Sequence, residues 1–327
     1  MRNLGNSGLS ISPIGLGCWQ FAQGKGLLGN TWGVVGDEEI REIIRLSLAG
    51  GINWFDTAEA YGGGQSEKAL ARALQSLSIK PEDVVIATKW LPIFRTAGSI
   101  GKTVDDRLTA LGGYPISLYQ IHNPYAFSPV RAQMAAMADL VEAKKIRYVG
   151  VSNFSAEKMR LAHDELAKRG IPLISNQVRY NLLDRSIERN GILAAAQELG
   201  IMIISYSPLA QGVLTGKFHE NPGLIKTRPG FRKYMRAFRT GGLAKSRSVV
   251  EALRELAEKH GRTPAQIALN WLIHFNGPAV VAIPGATKAS QARENAGALT
   301  FVLSQDEMQF LDQATRDISS DHSYPER

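Results

Sequence analysis

The feature that most constrains the fold of this chain is its rhythm. Short apolar or β-branched runs recur along almost its whole length, separated by longer amphipathic stretches. The runs predict strands at Ile14–Cys18, Ile52–Asp56, Val84–Thr88, Ser117–His122, Tyr148–Val151, Ile174–Val178, Met202–Tyr206 and Val280–Pro284. The amphipathic stretches predict helices at Asp37–Ala49, Ser66–Leu77, Lys102–Ala110, Pro129–Ala143, Ala156–Arg169, Glu188–Leu199, Ser248–His260 and Ser290–Ala298. Eight strands with eight helices point to an α/β fold, a closed (β/α)8 TIM barrel. Three additions are expected: an N-terminal β-hairpin over Leu4–Ile14 centred on Asn6-Ser7-Gly8, a long loop from Pro208 to Lys245 after strand 7, and an extra C-terminal helix over Ser304–Ala314, which opens on a Ser-Gln-Asp-Glu capping pattern. No composition break divides the 327 residues, so a single domain over 1–327 is expected.

Composition narrows the function classes. A hydrophobic share of 44% with 21% charged residues is that of a chain able to bury a large core. The formal charge of +8 is dispersed: Lys144, Lys145 and Arg147 are a short cluster at a helix end, and the densest basic stretch, Lys226, Arg228, Arg232, Lys233, Arg236 and Arg239, falls in the long loop. No nucleic-acid reading motif accompanies it, so no nucleic-acid partner is expected, whereas an anionic cofactor suits the sign. A sole cysteine, Cys18, leaves no disulfide framework and no cysteine metal cluster, and no metal is expected. The Met1-Arg2-Asn3-Leu4-Gly5 start lacks the apolar core of a signal peptide, and no apolar run approaches the ~20 residues of a membrane span. The expectation is a cytoplasmic enzyme with no membrane partner.

In such a barrel the chemistry gathers at the C-terminal ends of the strands. Four polar residues fall there: Asp56 at the end of the second strand, Tyr61 in the loop after it, Lys89 ending the third strand and His122 ending the fourth. Singly, each has an ordinary reading: Asp56 a helix cap, His122 a hydrogen-bonded core residue, Lys89 a rim cation, Tyr61 surface packing. Together they form a chemical unit. Reduction of a carbonyl leaves an alkoxide that needs a proton, and a phenol with an ordinary pKa near ~10 becomes a better acid beside an ammonium group. Lys89 would serve that end, held by Asp56, while His122 would donate a hydrogen bond to the carbonyl oxygen.

The runs Asp56-Thr57-Ala58-Glu59-Ala60-Tyr61-Gly62, Ala87-Thr88-Lys89 and Tyr119-Gln120-Ile121-His122 resemble the catalytic segments of the aldo-keto reductase superfamily. Gly150-Val151-Ser152-Asn153-Phe154, Ser205-Tyr206-Ser207-Pro208-Leu209 and the Gly212-to-Lys217 stretch are similar to the same family. The resemblance spans essentially the whole chain and is to the bacterial and plant branches carrying Gly-Val-Ser-Asn, a group related to potassium-channel β subunits. It implies NADP(H) bound in extended form across the barrel mouth, without a Rossmann domain. In keeping with that, Gly15-Leu16-Gly17 is a lone fragment, read here as a tight strand end rather than a dinucleotide fingerprint.

Carried onto this chain, the resemblance implies that Ser152, Asn153 and Gln177 hold the nicotinamide carboxamide, with Tyr206 stacked on the ring and Trp19 beside it. Ser207, Pro208, Leu209, Gln211 and Gly212 would cradle the pyrophosphate, with Lys217 as countercharge. Gly285, Thr287, Lys288, Gln291, Glu294 and Asn295 would take the adenosine and its 2′-phosphate at a helix N-terminus. Two positions depart from the family pattern: Ser117 stands where an acidic residue is common, and Asn123 where a bulky aromatic often follows the histidine. Trp19, Trp90, Asn123 and Tyr125 are the expected substrate walls. The expected reaction is reversible, NADPH-dependent reduction of an aldehyde or ketone, the partner being a small-molecule carbonyl or alcohol. The alternatives are an NADPH-binding regulatory or redox-sensing protein resembling the channel β subunits, and a barrel isomerase or aldolase using Lys89 as a nucleophile. Oligomeric state is left open.

Overall fold

The computed structural model describes residues 1–24, 33–227 and 231–316. Two short strands, β1 (Arg2–Asn3) and β2 (Ser10–Ile11), pair antiparallel. Eight more follow: β3 (Leu16–Gly17), β4 (Trp54–Asp56), β5 (Val85–Trp90), β6 (Ile116–Ile121), β7 (Ile146–Ser152), β8 (Leu173–Arg179), β9 (Met202–Tyr206) and β10 (Val280–Ala282). These lie parallel in chain order, each hydrogen-bonded to the next. Parallel bridges from Ile14 to Ala282 and from Gly17 to Gly285 close the ring at its seam. The barrel is therefore the expected (β/α)8 barrel. Gly17 is needed at that seam, because a Cβ there would stand 2.8 Å from the Ile283 carbonyl oxygen.

The helices are α1 (Asp37–Ala49), α2 (Gln65–Ser76), α3 (Gly98–Ala110), α4 (Val130–Glu142), α5 (Ala156–Ala167), α6 (Ile192–Leu199), α7 (Lys217–Glu220), α8 (Thr240–Lys245), α9 (Arg247–His260), α10 (Pro264–His274), α11 (Ala289–Gly297) and α12 (Gln305–Arg316). Local signals set several of their starts. Three acidic residues, Asp37 to Glu39, occupy the first turn of α1, where the helix dipole favours them. Ser155 caps α5 through its side chain, and Thr263 with Gln266 forms a capping box at α10.

The structure corrects the expected boundaries in places. The hairpin arms are two residues each and lie at the outer limits of the Asn6-Ser7-Gly8 turn, so Arg2 and Asn3 belong to it. The stretch Glu188–Leu199 begins with a 3-10 turn over Ser186–Glu188 and is α-helical only from Ile192, after Gly191 at φ +83°. Helix α10 had no counterpart in the expectation. Its residues from Ala265 to Ile273 are all buried except Gln266, so it lacks the one-sided pattern that marks a surface helix. Within Pro208–Lys245 the described residues form 3-10 turns around the short helices α7 and α8. Arg228, from the basic stretch, lies outside the described residues.

Strand alternation divides the apolar residues into two cores. Inside the barrel, Trp54, Val85, Ala87, Leu118, Ile174, Met202, Ile204 and Val281 meet Leu4, Leu9 and Ile11 of the hairpin, which plugs the lower end. Outside it, residues of opposite parity, such as Phe55, Ile86, Trp90, Tyr119 and Ile121, pack under the helices. The plug leaves the other end of the barrel open, and there the inward-facing residues turn polar. Among the described residues no helix is long and apolar enough to cross a membrane.

Candidate active site

Inward parity carries Asp56, Lys89 and Gln120 from three strands to the top layer of the barrel interior, and Gln177 joins them from β8, where the register shift opposite Val149 and Gly150 resets the alternation after Ile174. All four are buried. Lys89 Nζ donates to Asp56 Oδ1 at 2.5 Å and to the Thr57 carbonyl at 2.8 Å. The other carboxylate oxygen of Asp56 accepts from Gln177 Nε2 at 2.8 Å and Gln120 Nε2 at 3.3 Å. Such a pair survives burial because both charges are paired and hydrogen-bonded. Burial lowers the Lys89 pKa from its ordinary value, while the Asp56 charge and hydrogen bond oppose that shift.

Tyr61 lies directly above this pair. Lys89 Nζ is 5.1 Å from the centre of its ring, Trp19 stacks on one side at 5.9 Å, and His122 meets it edge-on at 5.7 Å. The four residues singled out from sequence thus form one cluster, with Tyr61 and His122 on the wall of the cleft and Lys89 sealed beneath. His122 is held to about 3 by burial and by the Lys89 charge, so its imidazole is neutral at physiological pH and acts as a hydrogen-bonding group. Its Nδ1 is buried and finds no hydrogen-bond partner among the described residues.

The Tyr61 phenol is pushed well above its ordinary range, first by burial and then by the Asp56 charge. This differs from the expectation that Lys89 lowers it. The physical reason is that the ammonium charge of Lys89 is already matched by Asp56 at 2.5 Å. Tyr61 therefore stands protonated, as a donor of its proton must. Strand β5 also runs one residue past Lys89, to Trp90.

The cleft above the cluster has a volume of about 2570 Å³. That exceeds the roughly 300–1,000 Å³ of a drug-sized pocket and suits a dinucleotide together with a substrate. Along it lie Ser152, Asn153, Gln177, Tyr206, Ser207 and Pro208, and further on Leu209, Gln211, Gly212, Lys217, Gly285, Thr287, Gln291, Glu294 and Asn295. Tyr206 Oη donates to Asn153 Oδ1 at 3.0 Å, and Ser152 Oγ donates to the Gln177 carbonyl at 2.8 Å. After β9 the backbone enters the left-handed region at Ser207, Ala210 and Gln211, then at Gly212 and Gly216. Conformations of that hand next to right-handed ones turn successive N–H groups to one side, the geometry of an anion cradle, and in non-glycine residues they are kept only where the surroundings hold them. Farther along, the Asn295 Nδ2 is buried on the cleft wall without a partner among the described residues.

One expected position fails. Trp90 is not a substrate wall: it is fully buried on the helix side of β5, with Nε1 donating to Ser99 Oγ at 3.1 Å. Val85, Ala87 and Lys89 face inward, so Trp90 faces out, and the alternation visible in the sequence carried that signal. Lys288 is exposed and lines a separate shallow recess beside Val34, Gly36 and Glu39, where Glu39 accepts from the Ala289 N–H at 2.5 Å. Trp19, Asn123 and Tyr125 do line the cleft. So do Glu59, Arg95, Arg107 and Arg179, which sequence reasoning did not name. Glu59 lay in view within the Asp56–Tyr61 run, but no spacing in the sequence links it to arginines 36 and 48 residues away.

The model of the aldo/keto reductase family matches residues 13–316. Over 323 residues the chain is 35% identical to a chloroplastic pyridoxal reductase of Arabidopsis thaliana, covering 94% of this chain and 84% of that one. Among solved structures it is similar to a glycerol dehydrogenase from Gluconobacter oxydans, with TM-score 0.81, 29% identity and coverage of 96% and 94%. It is also similar to an aldo-keto reductase from Klebsiella pneumoniae solved in complex with NADPH, with TM-score 0.72, 27% identity and coverage of 93% and 91%.

Proposed function

The chain belongs to the aldo/keto reductase family, and from that premise we propose that it reduces aldehydes or ketones to alcohols with NADPH, reversibly, with Tyr61 as the proton donor. The observation that carries this reading is the sealed Lys89–Asp56 pair directly beneath a protonated Tyr61 and beside a neutral His122. The cleft fits NADP(H): its length, the left-handed backbone after β9 and the unpartnered Asn295 amide supply room, an anion cradle and a free donor. Ser152, Asn153 and Gln177 would hold the nicotinamide end, with Tyr206 against the ring. Ser207 to Gly212 with Lys217 would hold the phosphates, and Gly285, Thr287, Gln291, Glu294 and Asn295 the adenosine. When bound, the cofactor supplies the hydride.

The chain's own residues supply the rest. A carbonyl oxygen seated between Tyr61 and His122 accepts a hydrogen bond from each, and the Tyr61 Oη proton passes to it as negative charge develops. The phenolate left behind would form close to the Lys89 ammonium, 5.1 Å from the centre of the Tyr61 ring, an attraction that offsets part of the cost of a buried negative charge. Neutral His122 adds a hydrogen bond without competing for the proton. Trp19, Asn123 and Tyr125 would bound the substrate.

Replacing Tyr61 with Phe tests the reading. The expected outcome is a fall in NADPH-dependent turnover of about 100-fold or more on a panel that includes pyridoxal and 4-nitrobenzaldehyde, with NADPH affinity within about two-fold of the parent. Turnover equal to the parent overturns it. Glycerol, with NADP, probes the reverse direction.

A further inference from the structure

The loop that carries Tyr61 is, by its own sequence, a poor support for a reacting group. Gly62, Gly63 and Gly64 follow it directly, with φ of +68°, +63° and +85°. Three successive glycines in left-handed conformations lose the most entropy on ordering, so the loop must be held from outside. Two glutamates flank it, Glu59 before and Glu67 after, and both are tied to the wall of the barrel. Glu59 Oε1 accepts from the Leu91 N–H and from Arg95 Nη1, each at 2.5 Å. Glu67 is buried, and its Oε1 accepts from Thr88 Oγ1 at 2.6 Å, on the strand residue next to Lys89.

Arg107, reaching in from α3, joins the two. Its Nη1 donates to Glu59 Oε2 at 3.4 Å, and its Nε lies 3.5 Å from Glu67 Oε2. Its guanidinium and the Glu67 carboxylate also close over Gly64, where an added Cβ would stand 3.5 Å and 3.3 Å from them. We propose that Arg107 is the positioning residue of Tyr61, drawing Glu59 and Glu67 together so that both ends of the triglycine loop are fixed against the strand that carries Lys89. This rests on the reading of Tyr61 as proton donor.

The clamp is sensitive to pH. Burial pushes Glu67 up to about 7, against the pull of Arg107 and the Thr88 hydrogen bond. The groups facing it are Arg107 from α3, Glu59 from the loop, Lys89 and Thr88 from β5, and Tyr119 from β6, whose buried hydroxyl finds no partner among the described residues. Above neutrality Glu67 is a carboxylate and holds Arg107. Below it the carboxyl is neutral and keeps its Thr88 hydrogen bond, but the ionic attraction is gone and Arg107 is tied to the loop through Glu59 alone. His122, held to about 3, and Tyr61, pushed well above its ordinary range, do not titrate near 7. An acid limb of turnover near that pH is therefore the signature of Glu67.

The test is single-turnover reduction of 4-nitrobenzaldehyde by NADPH across about pH 5.5 to 9, with NADPH affinity followed by tryptophan fluorescence. Arg107→Met should lower the rate about 10- to 100-fold at pH values above 8, the scale expected when a reacting group is misplaced by about 1 Å. NADPH affinity should stay within about two-fold, and Arg107→Lys should recover part of the loss. The parent should lose rate as pH falls through about 7, and Glu67→Gln should show a flat profile at the parent's low-pH level. A parental rate in Arg107→Met, or an acid limb that persists in Glu67→Gln, overturns the clamp. Should Arg107→Met fail to fold, the Glu67→Gln profile alone decides. Full activity in Tyr61→Phe overturns the functional reading instead, so the two failures are told apart.

Discussion

The two sides of the barrel mouth are built on different principles. On the β4-to-β6 side the wall is made by buried charged or polar side chains: Asp56, Lys89 and Gln120 are placed by strand parity, Glu67 comes from the first turn of α2, and Asp56 alone has three side-chain partners. On the β9-to-β10 side, the wall is made by backbone: Ser207, Ala210 and Gln211 in left-handed conformations, with Lys217, Thr287 and Gln291 half-buried. The contrast suits two tasks. A proton donor must be held within a fraction of an ångström, which buried and mutually satisfied groups achieve. A dinucleotide that enters and leaves at every turnover is better served by oriented N–H groups on a loop that solvent can reach.

The largest effect that would break this comparison is expected at Asp56. Asp56→Asn leaves the Lys89 ammonium buried with little more than the Thr57 carbonyl, a loss of about 3–5 kcal/mol of unfolding free energy near neutral pH. In the variant Lys89 has a lower pKa folded than unfolded, so the unfolded state binds more protons and stability rises with pH. Urea unfolding at about pH 7 and about pH 9.5 should show the deficit shrinking at the higher value. A loss below about 1 kcal/mol would mean that this side is not held by its charges.

Glu67 should contribute the next effect, with the opposite sign. Its pKa rises from 4.5 to about 7 on folding, so its stabilising share is fully present below 4.5 and is lost as pH rises through about 7. The shift corresponds to up to about 3 kcal/mol. Glu67→Gln should therefore unfold at a urea midpoint that hardly varies from pH 5 to about 8, while the parent becomes less stable over that interval. If the parent's stability is flat there, burial does not strain Glu67 and the pH dependence of the clamp goes with it. Turnover is expected to gain from the ionised form that stability disfavours, the usual direction of conflict at a reacting site.

Much of the fold was legible because a barrel repeats one local pattern. Asp56, Tyr61, Lys89 and His122 were legible for the same reason, as strand ends mark the mouth. Trp90 was misread although the alternation contained the answer: counting from inward-facing Lys89 puts it under α3. Helix α10 was missed because burial on all sides removes amphipathicity. The Arg107 bridge was beyond reach, since it joins residues 48 and 40 positions apart through a space that exists only once α3 is packed. Nor does composition announce a left-handed Ser207 or Gln211, because both residue types are at home in ordinary backbone.

That last point supplies the mildest test of the backbone side. Gln211 sits at φ +58°, and its side chain donates to Ser207 Oγ at 3.0 Å. Gln211→Gly removes the steric cost of that conformation, about 1–2 kcal/mol. It also removes the side-chain hydrogen bond and frees the unfolded chain, which together offset much of the gain. The net change in unfolding free energy should stay within about 1 kcal/mol, and NADPH affinity should fall by no more than about three-fold, because a cradle of backbone N–H groups keeps its donors when the side chain goes. A loss of affinity above about ten-fold would show that the Gln211 side chain itself binds the cofactor. The two sides of the mouth would then differ less than their construction indicates.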